Sequence, residues 1–269
     1  NYKKKIKFKL LSFPHGLPLL KQHNNQWDNA KKDIVNISKN VDKIILQHVN
    51  WHKELEKHEI NKNFEILGYP RFSYSWSKIY DEIIPNSKLS NHTDKINIVY
   101  MSANSDSHID YIEKKISLVN YLISSPKINL LYKSHPRTNN FYSVKIPNLQ
   151  NVNKINSRSL INWADIVIGD ISSIMIDALL LNKLYISPSF LRFNENKLLF
   201  EDYGACLEID KFERLTNFID NVQIENKKSI LISEVNKYEK NKIKFLNEIV
   251  FNNSQNVVQD YLNLILKYV

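Results

Sequence analysis

Short apolar runs of strand length, each followed by a stretch of helical pattern, constrain this chain more than any other feature. Residues 96–101, 128–132, 166–168 and 184–187 read as buried strands. Between them, 109–123 is an amphipathic helix stopped by Pro126, and 157–163 and 174–181 are shorter helices. A further short strand is expected at 152–155, with helices at 211–221, 229–250 and 254–267. Upstream, strands are expected at 6–13, 41–48 and 65–67, and a helix at 74–83. Strands alternating with helices at this spacing predict parallel, doubly wound sheets. The polar stretch 86–94 after Pro85 reads as a linker. It divides the chain into an N-terminal lobe, 1–85, and a C-terminal lobe, 86–269.

Glycine narrows the chemistry. The chain has 4 glycines in 269 residues, against roughly 7 % in an average protein. That excludes both the G-x-x-x-x-G-K-[ST] phosphate loop and the G-x-G-x-x-G dinucleotide fingerprint. A phosphate would have to be held by a helix terminus instead. Three of the four, Gly16, Gly68 and Gly169, fall in or beside loops that end strands; Gly204 belongs to no readable motif.

The net charge of +9 is uneven. Residues 1–63 hold 13 Lys, no Arg and 6 acidic residues, a net of +7. A basic segment on a nearly neutral body suggests an anionic partner, with a solvated lysine-rich surface as the plain alternative. The single cysteine, Cys206, permits no internal disulfide and suits a reducing compartment. No apolar run approaches the ~20 residues of a membrane helix. The chain begins at Asn1, which leaves room for residues upstream.

Three loops follow strands at positions where doubly wound sheets bind ligands. In Ile168-Gly169-Asp170-Ile171-Ser172-Ser173 a strand ends in Gly-Asp and a helix opens with two serines. Such a start either caps itself or holds a phosphate. Asp177 lies in the following turns. Lys133-Ser134-His135-Pro136-Arg137 offers three cationic groups within five residues, suited to a diphosphate or to a basic surface turn. Phe13-Pro14-His15-Gly16-Leu17-Pro18 holds a histidine in a rigid turn, a position from which imidazole can take a proton. Gly68-Tyr69-Pro70-Arg71 is a turn with an exposed arginine. His48, His52 and His58 lack the H-E-x-x-H pattern and any supporting cysteine or aspartate cluster, so no metal site is expected.

The order of these loops resembles the CDP-glycerol glycerophosphotransferase family of teichoic acid and capsule synthesis. It is also similar to related capsule glycosyltransferases of the GT-B fold. The likeness runs from about Phe13 to Ser187 and is most specific from Ala164 to Lys183. It departs at Phe72-Ser73, where the family usually has Asn-Asp, and at Ile171, where an aromatic is usual.

The resemblance implies an α/β, GT-B-like protein of two Rossmann-like lobes with parallel sheets, the N-terminal, acceptor-side lobe short or truncated. It implies a bacterial envelope transferase that moves a glycosyl or glycerophosphate group from a CDP-, CMP- or UDP-linked donor to an acceptor hydroxyl. The acceptor would be a polysaccharide or anionic, teichoic-acid-like polymer. His15 matches the general base. Lys133, His135, Arg137, Asp170, Ser172, Ser173 and Asp177 match the donor side, and Gly16 and Arg71 shape the cleft. No cofactor and no metal are expected. Two other readings stay open: a nucleotide-sugar epimerase, and a non-catalytic module binding nucleotide or anionic polymer. No nucleic-acid partner is expected, since it would leave the ordered loops unexplained. The expected location is cytoplasmic, with the basic segment offering peripheral contact to the inner membrane face.

Overall fold

A computed structural model describes residues 9–13, 36, 40–57, 64–84, 89–90, 92–102, 109–135, 146, 149–170, 172–192 and 197–268. The chain forms two compact units: Asn1–Ile83 with Lys244–Val269, and Ile84–Ile243. The linker expected at 86–94 lies beside the first boundary. Residues 244–269, which sequence order places in the C-terminal lobe, group with the first unit.

The first unit holds a three-stranded parallel sheet in the order β1 (Leu11–Ser12), β2 (Lys43–Leu46), β3 (Phe64–Ile66). Ile44, Ile45 and Leu46 of the central strand are buried. Helix α1 (Val49–Lys57), not anticipated from sequence, carries the chain from β2 to β3. Helix α2 (Tyr74–Ile83) follows a tight turn at Pro70–Phe72. Gly68 has a packing reason: a Cβ there would lie 2.7 Å from the backbone of Val250 and Phe251. The adjacent Tyr69 N–H donates to the Val250 carbonyl at 2.7 Å. The C-terminal segment is thus stitched to the Gly68 turn by backbone approach, which only glycine permits.

The second unit holds five parallel strands: β4 (Ile96–Met101), β5 (Ile128–Lys133), β6 (Ile166–Gly169), β7 (Leu184–Pro188) and β8 (Leu207–Ile209). Their spatial order is β5-β4-β6-β7-β8. All six residues of β4 are buried, as expected of a central parallel strand covered on both faces. Helix α3 (Ile109–Ser124) packs Leu118, Val119 and Leu122 into the core formed by Ile96, Ile98, Ile166 and Ile186. Helices α4 (Ser157–Trp163), α5 (Ile174–Leu180), α6 (Leu199–Asp202), α7 (Phe212–Asp220) and α8 (Lys227–Phe245) complete the alternation. Helix α5 stops where Asn182 adopts a left-handed conformation (φ 53°), a common helix ending.

Two local expectations differ from the structure, and one short strand was not anticipated. No strand forms at 152–155; a single bridge pairs Tyr132 with Asn151, and a turn follows. The reason is that the Lys133 ammonium takes the Asn153 and Ile155 carbonyls, leaving no ladder to extend. Strand β8 is three residues long with a glutamate at its centre, too short to register as a pattern. The helix expected over 229–250 ends at Phe245 and gives way to a π turn, Leu246–Val250. C-terminal helix α9 (Val257–Leu266) buries Leu264 against Ile45 and Leu67.

Candidate functional site

The five-stranded sheet reverses its direction of growth between β4 and β6. Strand β5 lies on one side of β4, and β6, β7 and β8 continue on the other. Taken in chain order this is the 2-1-3-4-5 arrangement, whose ligands bind outside the carboxyl ends of the strands at the reversal. Register places Met101 of β4 opposite both Lys133 of β5 and Gly169 of β6. The two loops singled out from sequence therefore leave one sheet edge at one level, about two strand spacings apart (roughly 10 Å).

At that edge the side chains divide into those engaged internally and those presented. Asp170 is engaged. Its Oδ1 accepts from the Tyr100 hydroxyl at 2.6 Å and its Oδ2 from the Tyr111 hydroxyl at 2.5 Å. The Lys115 ammonium lies 3.2 Å from Oδ2 and also donates to Ser102 Oγ at 2.5 Å and Tyr111 Oη at 3.1 Å. Burial, reinforced by the Asp170 charge, pushes the Tyr100 hydroxyl pKa far above its ordinary value. Asp177 is likewise internal, 3.3 Å from the buried Arg158 guanidinium. The geometry thus gives these two carboxylates the task of fixing the turn between β6 and α5.

Lys133 is half-buried and bonded to the Asn153 and Ile155 carbonyls at 2.9 and 2.7 Å. Burial draws its pKa down. Ser134 is held by Asn153, whose Oδ1 accepts from its N–H at 2.8 Å. His135 is half-buried just beyond them. Arg137 lies outside the described residues, as do His15 and Gly16 of the first unit.

The two serines differ in their hydrogen bonding. Ser172 Oγ accepts from the Ile174 N–H at 3.3 Å, a local turn bond. Ser173 occupies the N-cap position of α5, yet its side chain makes no cap hydrogen bond. Self-capping, the plain alternative for this motif, does not consume the Ser173 hydroxyl.

Gly169 is explained by its neighbour strand rather than by a ligand. A Cβ there would meet the Tyr185 hydroxyl at 2.9 Å. That hydroxyl donates to the Gly169 and Asp170 carbonyls at 2.9 and 3.2 Å, pinning the start of the turn. Lys183, the last residue of the sequence motif, donates to the Asn162 and Ala164 carbonyls at 2.8 and 2.9 Å. It closes the C-terminal end of α4.

In the first unit, Arg71 is exposed on the Pro70–Phe72 turn with its guanidinium 5.1 Å from the Phe72 ring. Among the described residues no three His, Cys, Asp or Glu side chains gather as a metal site. His48 precedes α1 while His52 lies within it and faces Glu56 at 3.4 Å.

Sequence reading missed Lys115, Tyr100, Tyr111, Arg158 and Tyr185. One signal was available for the first. Lys115 sits in the inward stripe Tyr111, Lys115, Leu118, Val119, Leu122 at helical spacing, where a cation has to be buried and paired.

No family model matches the sequence, and no curated protein matches it significantly. Solved structures do match. The wall teichoic acid polymerase TagF superposes with a TM-score of 0.60 at 15 % identity, over 96 % of this chain and 67 % of that one. A TagF variant soaked with CDPG gives 0.59 at 15 % identity over the same shares. The Methanocaldococcus jannaschii UDP-GlcNAc 2-epimerase, in complex with UDP-GlcNAc and UDP, gives 0.50 at 12 % identity, over 77 % of this chain and 61 % of that one. The fold is the GT-B type. This chain carries its Rossmann-like units on parallel sheets of three and five strands. At such identity the likeness speaks for fold alone. No described helix is long and apolar enough to cross a membrane.

Proposed function

We propose that this protein is a transferase moving a glycosyl or glycerophosphate group from a CDP-, CMP- or UDP-linked donor to a hydroxyl of a cell-surface polysaccharide or teichoic-acid-like acceptor. One observation carries the reading. The motif loops leave the carboxyl edge at the strand-order reversal of the second unit, with the Ser173 hydroxyl not spent on capping. The TagF likeness in fold supports it.

Donor phosphates are assigned to the edge beyond β4 and β6, where the Ser172–Ser173 turn supplies hydroxyl and N–H donors. His135 just after β5, and Arg137 two residues further along the sequence, are assigned to the same phosphates. Lys133, Asp170 and Asp177 act by holding these loops in place. His15 takes the proton of the acceptor hydroxyl as its oxygen attacks the activated carbon or phosphorus. The bond to the nucleotide's phosphate oxygen breaks, and the nucleotide leaves with the electron pair. Fixed donors at the leaving group stabilise the charge that develops there. Association with the inner membrane face through the basic segment belongs to the same proposal.

Thermal unfolding with CDP, UDP and CMP is the first test. At least one is expected to stabilise the protein, and His135→Ala to diminish that effect. Full transfer activity in both His15→Ala and His135→Ala would overturn the mechanism.

A nucleotide-sugar epimerase is the second reading, favoured by the fold likeness to the UDP-GlcNAc 2-epimerase. Incubation with UDP-GlcNAc followed by a search for the isomer separates the two.

A further inference from the structure

The amino ends of β6 and β7 border a cavity of about 590 Å³ that the proposed donor site does not use. It lies wholly within the second unit. Asp165, directly before β6, and Lys183 and Leu184, at the start of β7, line it together with Leu231, Ile232 and Val235 of α8. The motif loops leave the opposite, carboxyl ends of the same strands. Asp165 and Gly169 are four residues of extended chain apart, roughly 13 Å.

Two properties set this cavity apart from ordinary surface. The first is its aliphatic lining. Leu184 and Leu231 are buried and Val235 is half-buried, but Ile232 beside them is 51 % exposed. No aromatic ring lines it, so a base or sugar ring finds no stacking surface there. The second is an excess of positive charge. Its two carboxylates are already paired: Asp165 with Lys227 at 2.9 Å, and Glu239 with the buried Lys242. Lys183 and Lys228 also line the cavity, and among the described residues neither makes an ion pair. Lys183 is half-buried and spends two N–H groups on the Asn162 and Ala164 carbonyls. Burial draws its pKa down, with the Asp165 charge opposing. A cation so placed gains more from an anion than one in open water does.

We propose that this cavity is a second ligand site, for an apolar chain headed by a single phosphate or carboxylate. The inference stands apart from the transferase reading. The aliphatic lining takes the chain, and Lys183 and Lys228 take the head. Cavities of this size hold small molecules, with an apolar lining and a few polar groups that fix orientation. An uncharged chain would leave the two cations uncompensated, and an inorganic anion would leave the Ile232 side chain in water. A cationic ligand would meet the surplus of lysines.

The test uses the full chain with isotope-labelled Ile, Leu and Val methyl groups, followed by NMR. Octyl phosphate is the probe, with octanol and inorganic phosphate as controls. Octyl phosphate should shift the Leu184, Leu231, Ile232 and Val235 methyl signals saturably. Octanol should bind about fivefold more weakly, and inorganic phosphate should leave the methyl signals in place. Ile232→Ser and Lys228→Glu change exposed side chains and should unfold at the wild-type temperature. Each should weaken octyl phosphate about fivefold. Unmoved methyl signals, octanol binding as tightly as octyl phosphate, or wild-type affinity in either variant would overturn the site. So would displacement of octyl phosphate by CMP, which would place the probe at the donor edge. Flotation with vesicles of phosphatidylcholine and phosphatidic acid separates the two sources of such a ligand. Flotation lost in Lys228→Glu and Ile232→Ser assigns it to a bilayer, and methyl shifts without flotation assign it to a free molecule.

Discussion

The ammonium of Lys115 lies 3.2 Å from the carboxylate of Asp170, and the two side chains are 0 % and 3 % exposed. The pair joins α3 to the carboxyl end of β6 at the point where the sheet reverses. Two tyrosine hydroxyls and Ser102 also hydrogen-bond to the pair. A buried ion pair of this kind contributes little relative to an apolar filling, but removing one partner strands the other.

Lys115→Met should therefore destabilise the protein by about 3–5 kcal/mol, because Asp170 is left charged and uncompensated. The double variant Lys115→Met/Asp170→Asn should recover much of that loss. Urea unfolding of the wild type, both single variants and the double variant gives the coupling. Additive losses would show that the pair does not act as a unit.

Tyr185 and Gly169 make a second cross-strand unit. Gly169→Ala places a methyl 2.9 Å from the Tyr185 hydroxyl, an overpacking expected to cost about 1–3 kcal/mol. Tyr185→Phe alone loses the hydroxyl's bonds to the Gly169 and Asp170 carbonyls, at about 1 kcal/mol. The combination should cost less than the sum, since the clash with the oxygen is gone. Chemical unfolding of the three variants checks this.

How far these features were legible follows from their range along the chain. The strands 96–101, 128–132 and 166–168 announce themselves as apolar runs, and the parallel sheet follows from the helices between them. Loop chemistry at the strand ends is local too, so Ser173 and His135 could be singled out directly. Which carboxylate turns inward is decided by partners far away in sequence. Asp170 is committed to Tyr100, Tyr111 and Lys115, 55 to 70 residues earlier, and Asp177 to Arg158 of another helix. Gly68 and Gly169 illustrate the same limit. Sequence marked them as turns or ligand approaches, whereas backbone 182 residues on and a neighbouring strand's tyrosine account for them. Strand β8 escaped because three residues with a glutamate at the centre carry too little periodic signal.

His48 makes a pH signature. Its pKa is drawn from 6.5 to about 4 by burial, so between those values the unfolded chain binds the extra proton. Stability should then fall as pH drops from about 6.5 to 4, by roughly 3 kcal/mol from this group, and level off below. His48→Phe should flatten that part of the profile and leave the region above pH 7 unchanged in slope. Unfolding free energies measured at half-unit pH steps decide it; parallel profiles would mean that His48 is protonated in the fold.

The last prediction separates binding from folding at the two serines. Ser172 Oγ accepts the Ile174 N–H, so Ser172→Ala should cost about 0.5–1 kcal/mol of stability, as lost turn bonds of this type do. Ser173 sits at the N-cap of α5 without a cap bond, so Ser173→Ala should leave stability within about 0.5 kcal/mol of wild type. If its hydroxyl instead serves the donor's phosphate, the same change should weaken nucleotide binding about tenfold, the worth of one charge-assisted hydrogen bond. Calorimetric titration with whichever of CDP, UDP or CMP binds, beside an unfolding curve for each variant, gives both quantities. A stable Ser173→Ala protein with wild-type affinity would remove Ser173 from the donor site and shift the burden of phosphate recognition to the His135 loop.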